Sequence, residues 1–164
     1  MTHTLPQVGH EHHERIIQAV DTLPGLGDRV LTAAPAEVHR DLDAMADFLT
    51  TTLLPHVDAA EAALYPELER MFQNRHSMSP MRAEHREIKR LVGEFVKLAG
   101  RVDASHSGVG VAFALRRVIF RLYALLEIHL AEEEAYLRIV DHGVGADVAD
   151  LLAAAIDHPG AAAG

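Results

Sequence analysis

Histidine and glutamate side chains recur at the inward-facing positions of four predicted helices in this sequence. Each helix contributes one histidine, and two of the helices add a glutamate on or beside the apolar face. Four imidazoles and their carboxylates facing one axis form a polar cavity that is costly to bury unless a metal ion neutralises it. The sequence therefore predicts a metal site inside a helical bundle, with the candidate ligands His13, His56, Glu61, His85, His129 and Glu133.

Glu133 is the most informative of these carboxylates. It lies about 40° round the helix from His129, because each helical residue advances by roughly 100°. A glutamate in the middle of a leucine stripe needs a partner, and His129 is one turn away on the same face. We therefore predict that His129 and Glu133 act together, and that the flanking Glu132 and Glu134 are surface residues.

The choice of carboxylate on the second predicted helix stays open. Glu61 lies about 140° from His56 by helical phase, on the other shoulder of the apolar stripe. The two prolines of this helix can distort that phase, so Asp58 is the alternative. Two further candidates lie elsewhere: His10, one turn before the histidine of the first helix, and Tyr136, as an oxygen ligand or as a core tyrosine hydrogen-bonded to a ligand.

Several other kinds of site are excluded by residue type and spacing. The chain has no cysteine, which excludes disulfides, thiolate zinc sites and iron–sulfur clusters. His10 is followed four residues later by Glu14 rather than by histidine, so the zincin helix motif is incomplete. No Glu-x-x-His pair of the ferritin-like kind occurs in the sequence.

Charge and hydropathy argue against nucleic acid and membrane as partners. The net charge is −9, and the basic strip on the third predicted helix is typical of a solvated helix face. The most apolar stretch, residues 111–130, contains three arginines that a spanning helix would not tolerate at mid-depth. The polar N-terminus lacks a secretion signal, so we expect a cytoplasmic protein that acts on a small molecule.

Apolar periodicity predicts four long helices. The first begins near Gln7 or Val8 and is broken or kinked by the Pro-Gly-Leu-Gly run at 24–27, after which it can continue over 28–32. The second runs from Pro35 to about Asn74, bent but not ended by its two prolines. The remaining predicted helices are a third over 79–101, a fourth over 109–140 and a short fifth over 146–156.

The predicted fold class is therefore all-α, an up-down-up-down four-helix bundle with a short additional C-terminal helix. Residues 1–158 are expected to form one domain, which is long enough to bury a core, followed by a disordered tail over 159–164.

Four segments of the sequence resemble the helices of the hemerythrin-like, or HHE cation-binding, family. They are EHHERI at 11–16, LPHVDAAEAALYP at 54–66, EHREI at 84–88 and HLAEEE at 129–134. The resemblance covers residues 8–140. It implies a four-helix bundle that holds two non-haem irons, bridged by carboxylates and by an oxo or hydroxo group.

The chain departs from the family pattern at two positions. Family members place a bridging glutamate four residues after the second-helix histidine, where this chain has Ala60. Glu61 or Asp58 must then substitute, or the bridge is lost. The oxygen-carrying branch has a second histidine in the third helix, where this chain has Lys89. The smaller number of imidazoles argues against reversible oxygen carriage.

On this resemblance the sequence predicts a diiron protein that reacts with small oxygen or nitrogen species. The four histidines would be terminal ligands, with Glu133 and Glu61 as bridges. Imidazole with carboxylate favours iron over calcium or magnesium, whereas zinc and manganese stay open. Catalase-like turnover of hydrogen peroxide is the favoured reaction, because Ala60 leaves room for an open coordination position. The alternatives are nitric oxide or oxygen binding, iron sensing, and a metal-free interaction module.

Overall fold

A computed structural model describes the backbone of residues 5–103 and 108–143 and the side chains of residues 12–103 and 108–140. Throughout these ranges the regular structure is helical and no strand occurs, which confirms the all-α prediction. The predicted fifth helix over 146–156 and the tail over 159–164 lie outside the described residues. No helix within the described ranges is long and apolar enough to cross a membrane.

The first predicted helix is two helices, α1 (Leu5–Val20) and α2 (Leu23–Thr32). The break falls at Asp21 and Thr22, and the Pro-Gly-Leu-Gly run lies inside α2, so the prediction of a break within residues 24–27 is wrong. Pro24 lies in the first turn of α2, where the missing N–H has no helical acceptor to lose. The Thr22 hydroxyl donates a hydrogen bond to the Ala19 carbonyl at 2.7 Å and closes the turn before it.

The second predicted helix is continuous from Pro35 to Met71, but two of its turns are π-helical. α3 (Pro35–Phe48), α4 (Leu54–Ala59) and α5 (Tyr65–Met71) are joined by π turns at Leu49–Leu53 and Ala60–Leu64. Both π turns end directly before a residue that precedes proline. The N–H of Leu54 reaches the Leu49 carbonyl, and the N–H of Tyr65 reaches that of Ala60. Each π turn takes up one extra residue, so the inward face changes phase after it.

The last two described helices, α6 (Ser79–Ala99) and α7 (Val109–Gly143), pack against each other and against the preceding helices. The apolar core is divided into two clusters. The larger includes Leu53, Ile88 and Leu126, and the smaller includes Met81 and Val140. Along α6 and α7, the predicted ligands fall between the residues of these two clusters. The polar layer is therefore enclosed by apolar packing on both sides.

Gly27 is the point of closest approach between α2 and α7. A Cβ atom placed there would lie 2.8 Å from Cε2 of Phe120 and 3.2 Å from Cγ2 of Ile119. Real Cβ atoms essentially never approach another heavy atom to 2.8 Å. The glycine is needed for helix packing, not for a turn.

Gly27→Ala is expected to lower the free energy of unfolding by about 1 kcal/mol, because overpacking outweighs the gain in helix propensity. Gly93→Ala is the matched control, since a Cβ there meets nothing within 4 Å. It should raise stability by about 0.5–1 kcal/mol. Urea unfolding of the two variants measures the difference, and equal stability of both would contradict the packing argument.

Candidate metal centre

The buried polar side chains form a single set. Within the described side chains they are His13, His56, His85, His129 and Glu133, five of the six residues predicted as ligands. His56 is the most accessible of them at 6 % exposure, and the other four are at 0–1 %. α1, α4 and α6 each contribute one histidine, and α7 contributes His129 and Glu133.

These five side chains form two groups that share Glu133. One group is His13, His56 and Glu133, and the other is His85, His129 and Glu133. In each group the potential ligand atoms all lie within 4.8 Å of one another. Oε2 of Glu133 lies 2.8 Å from Nε2 of His56 and 3.6 Å from Nε2 of His13. One carboxylate is thus placed between two pairs of imidazoles.

The pair His85 and His129 has its two Nε2 atoms only 3.0 Å apart. The Nδ1 atom of His85 donates to Glu61 at 2.9 Å, and the Nδ1 atom of His129 donates to Glu84 at 2.8 Å. Because a carboxylate only accepts, each ring keeps its proton on Nδ1 and presents a lone pair at Nε2. Two lone pairs at this distance repel, whereas a cation between them would be bound by both. The donor set therefore fits a metal ion.

In the other pair, Nε2 of His56 donates a hydrogen bond to Oε2 of Glu133 at 2.8 Å, and His13 supports the same conclusion. Nε2 of His13 is buried and has no hydrogen-bond partner among the described residues, while its Nδ1 atom lies 3.2 Å from Oε2 of Glu134. Buried polar atoms are rarely left without a partner, and a site for an ion is one of the usual reasons. The free Nε2 atom faces Glu133.

Glu61, the sixth predicted ligand, is placed differently from the other five. Its side chain is 31 % exposed, and its carboxylate contacts the Nδ1 side of His85, away from the Nε2 atoms. Asp58 is 68 % exposed and binds the Lys89 ammonium at 2.9 Å. Ala60 is fully buried and brings no ligand atom. No second carboxylate therefore accompanies Glu133 in the two described groups.

Tyr65 is a residue of this centre that the sequence analysis missed. Its hydroxyl lies 2.9 Å from Nε2 of His85 and 3.4 Å from Oε1 of Glu133, and its side chain is fully buried. An undistorted α-helix would place Tyr65 about 180° from His56. The π turn at Ala60–Leu64 changes that phase, and the proline after Tyr65 was the available indication of it.

Of the two remaining candidates, Tyr136 does not join the cluster. Tyr136 packs on the smaller apolar cluster, with its ring centroid 6.4 Å from that of Phe72. His10 belongs to α1, but its side chain lies outside the described residues.

The electrostatics of the site suit cation binding. Burial by itself raises the pKa of Glu133, but His56, His13 and His129 together hold that pKa well below its usual range. Burial lowers the pKa of His85 to about 4, and His129 acts in the same direction. A neutral His85 imidazole and an ionised Glu133 carboxylate are in the protonation states that metal ligands require.

Comparison with known proteins identifies part of this arrangement. A family model described as the hemerythrin HHE cation binding domain matches residues 7–108, well over half of the chain. The match includes His13, His56 and His85, whereas His129 and Glu133 lie beyond it on α7. No curated protein and no solved structure matches the chain.

In the metal-free protein, Tyr65→Phe is expected to lower the free energy of unfolding by about 1–3 kcal/mol, since it removes the hydroxyl between two buried acceptors. Tyr136→Phe should change it by less than about 0.5 kcal/mol, because its hydroxyl is not part of that network. Urea unfolding of the metal-free variants compares them. A larger loss for Tyr136→Phe would mean that Tyr136, and not Tyr65, is the buried hydrogen-bonding tyrosine.

Proposed function

The chain belongs to the hemerythrin HHE cation-binding family, and on that premise we propose that its buried histidine–glutamate cluster binds two non-haem iron ions. The observation that carries the proposal is the sharing of Glu133 between two groups of ligand atoms. A carboxylate has two oxygens and can bind one metal through each of them. A single-metal site would have no need for two separate pairs of imidazoles.

The proposed ligands divide evenly between the two positions. His13 and His56 would hold one iron, His85 and His129 would hold the other, and Glu133 would be shared between them. These residues supply six bonds, whereas two irons take about ten to twelve when each is five- or six-coordinate. A bridging oxo or hydroxo group and the Tyr65 oxygen are proposed to supply part of the remainder. Imidazole with carboxylate favours iron over calcium and magnesium.

The proposed reaction is the disproportionation of hydrogen peroxide, in which two peroxide molecules give two waters and one dioxygen. When bound, two irons that each change by one electron would together supply the two-electron reduction of one peroxide and the two-electron oxidation of the other. Ala60 brings no ligand atom to the position where the family pattern has a glutamate, which supports an open coordination position. The histidines hold their Nε2 atoms inward, and the apolar clusters keep bulk water away.

Nitric oxide binding without turnover is the alternative function. It is favoured by the apolar packing on both sides of the polar layer, because a small neutral molecule partitions readily into such surroundings. Reversible oxygen carriage has less support, since Lys89 stands where the oxygen-carrying branch has a histidine.

We also propose that the bundle has up-down-up-down topology. The support comes from contacts between neighbouring helices. As residue numbers rise along one helix, the numbers of the residues that it contacts on the other helix fall. The contacts that support this order are His13–Glu134 and Asp28–Arg116, Asp58–Lys89 and Glu69–Arg82, and Glu84–His129 and Glu87–Arg121.

Purified protein is expected to bind two irons per chain, and Glu133→Gln should lose both because its carboxylate belongs to both groups. Glu132→Gln is the control, because Glu132 directly precedes Glu133 in the sequence but its side chain is exposed. Iron analysis gives the metal content.

Chelation should also lower the melting temperature of the wild type, since a ligand at about 1,000 times its Kd adds about 4 kcal/mol to the free energy of unfolding. A wild type that takes up no ferrous iron, or that melts identically after chelation, favours a metal-free interaction module.

Iron-loaded wild type is expected to evolve dioxygen from hydrogen peroxide, and His129→Ala should reduce this to the rate of free ferric iron. His39→Ala, a histidine paired with Asp43 on the surface, should keep the wild-type rate per iron. An oxygen electrode measures all three proteins at matched iron. If the wild type evolves no more oxygen than His129→Ala, the peroxide proposal fails and nitric oxide binding should be tested.

A further inference from the structure

The four histidines of the centre differ in the hydrogen-bond partner of Nδ1, the ring nitrogen on the side away from the cluster. In three of them the Nδ1 atom lies against a glutamate. The pairs are His85–Glu61 at 2.9 Å, His129–Glu84 at 2.8 Å and His13–Glu134 at 3.2 Å. Nδ1 of His56 is buried and has no hydrogen-bond partner among the described residues. Its neighbours include the rings of His12 and His13, each with its centroid 5.6 Å away.

A carboxylate at Nδ1 does three things for a metal-binding histidine. It keeps the proton on Nδ1, so that Nε2 is free to bind the metal; it fixes the orientation of the ring; and it makes Nε2 more basic. Loss of such a partner typically lowers metal affinity by roughly 10- to 100-fold. The glutamates act through the histidines, so they are positioning residues.

The glutamates are unevenly distributed between the two proposed metal positions. Both histidines of the His85–His129 pair have a short contact to a glutamate. In the other pair, His13 has a longer contact and His56 has none. The metal position formed by His85 and His129 is therefore the better preorganised of the two for binding a metal ion.

The backbone adds a second, independent difference. His85 and His129 lie within α6 and α7, regular helices of 21 and 35 residues. His56 lies in α4, which has six residues and is bounded by a π turn at each end. The π turns therefore interrupt the regular α-helical hydrogen bonding on both sides of His56, whereas His85 and His129 have regular turns on both sides. The position that includes His56 thus has the less regular backbone.

We propose that the two metal positions are inequivalent, and that the His85–His129 position binds a divalent metal first and more tightly. Glu61 and Glu84 set this order by positioning the two imidazoles. The Lys89 ammonium, 3.5 Å from Glu61 and 2.9 Å from Asp58, helps to hold Glu61 in place. The inference rests on the proposed function, because it requires that the cluster binds metal. It adds that the protein passes through a state with one metal, and that chelators remove the His13–His56 metal first.

Cobalt(II) titration of the metal-free protein tests the order of binding, with visible absorption reporting ligand geometry and calorimetry reporting affinity. The wild type should bind two cobalt ions in two resolved steps. His56→Gln should keep the first step and lose the second, whereas His129→Gln should lose the first. Far-ultraviolet circular dichroism checks that each variant keeps its helices.

Glu84→Gln tests the positioning role, and Glu87→Gln is its control. Glu87 lies on the surface of the same helix, where it binds Arg90 and Arg121, so its substitution removes the same charge. Glu84→Gln should weaken the first step roughly 10- to 100-fold and Glu87→Gln should not. Glu84→Ala should weaken it further, because glutamine still offers an acceptor to Nδ1. Glu134→Gln should weaken only the second step. If Glu84→Gln does not fold, Glu61→Gln replaces it in the same comparison.

The outcomes separate the inference from the function on which it rests. A wild type that binds no cobalt, zinc or iron overturns the proposed function. Two equal steps in the wild type, or an equal weakening of both steps by Glu84→Gln, overturn the inference and leave the two-metal proposal standing. Loss of the first step in His56→Gln with survival of the second would reverse the assigned order.

Discussion

A single buried carboxylate constrains this fold. Glu133 is fully enclosed among four imidazoles, and the pKa of its carboxyl lies well below the usual range although burial alone would raise it. An ionised group at that depth must be compensated from every side. α1, α4 and α6 each bring one histidine to it, and α7 adds His129. Helices that are far apart in the sequence are thereby packed around one small polar layer.

The two π turns shape that layer. Pro55 and Pro66 could have ended the second long helix, but each follows a turn in which the hydrogen bond spans five residues. The helix continues, and its inward face changes phase after each turn. The change after Ala60–Leu64 places the hydroxyl of Tyr65 at the cluster. Glu61 lies inside that turn and on the outer side of His85. π turns in other proteins are frequently found at functional sites.

The family match covers only part of the site that the geometry brings together. The matched residues contain three of the histidines, whereas His129 and the shared Glu133 lie on α7, beyond the match. α7 also meets α2 so closely that a Cβ atom at position 27 would lie 2.8 Å from the Phe120 ring. The completeness of the cluster therefore depends on how α7 packs, which motif similarity over residues 7–108 does not address.

The amino-acid sequence by itself determined the helical class and five buried polar residues, because a histidine or glutamate within an apolar stripe needs a buried partner whatever the details of packing. It did not determine where the first helix breaks, since Pro24 suits both a break and a first turn. Only the tertiary structure decided the surroundings of Glu61 and Tyr65, because helical phase assumes regular hydrogen bonding and the π turn departs from it. It also paired Glu61, Glu84 and Glu134 with particular imidazoles, since residues up to 121 positions apart in sequence meet only when the helices pack.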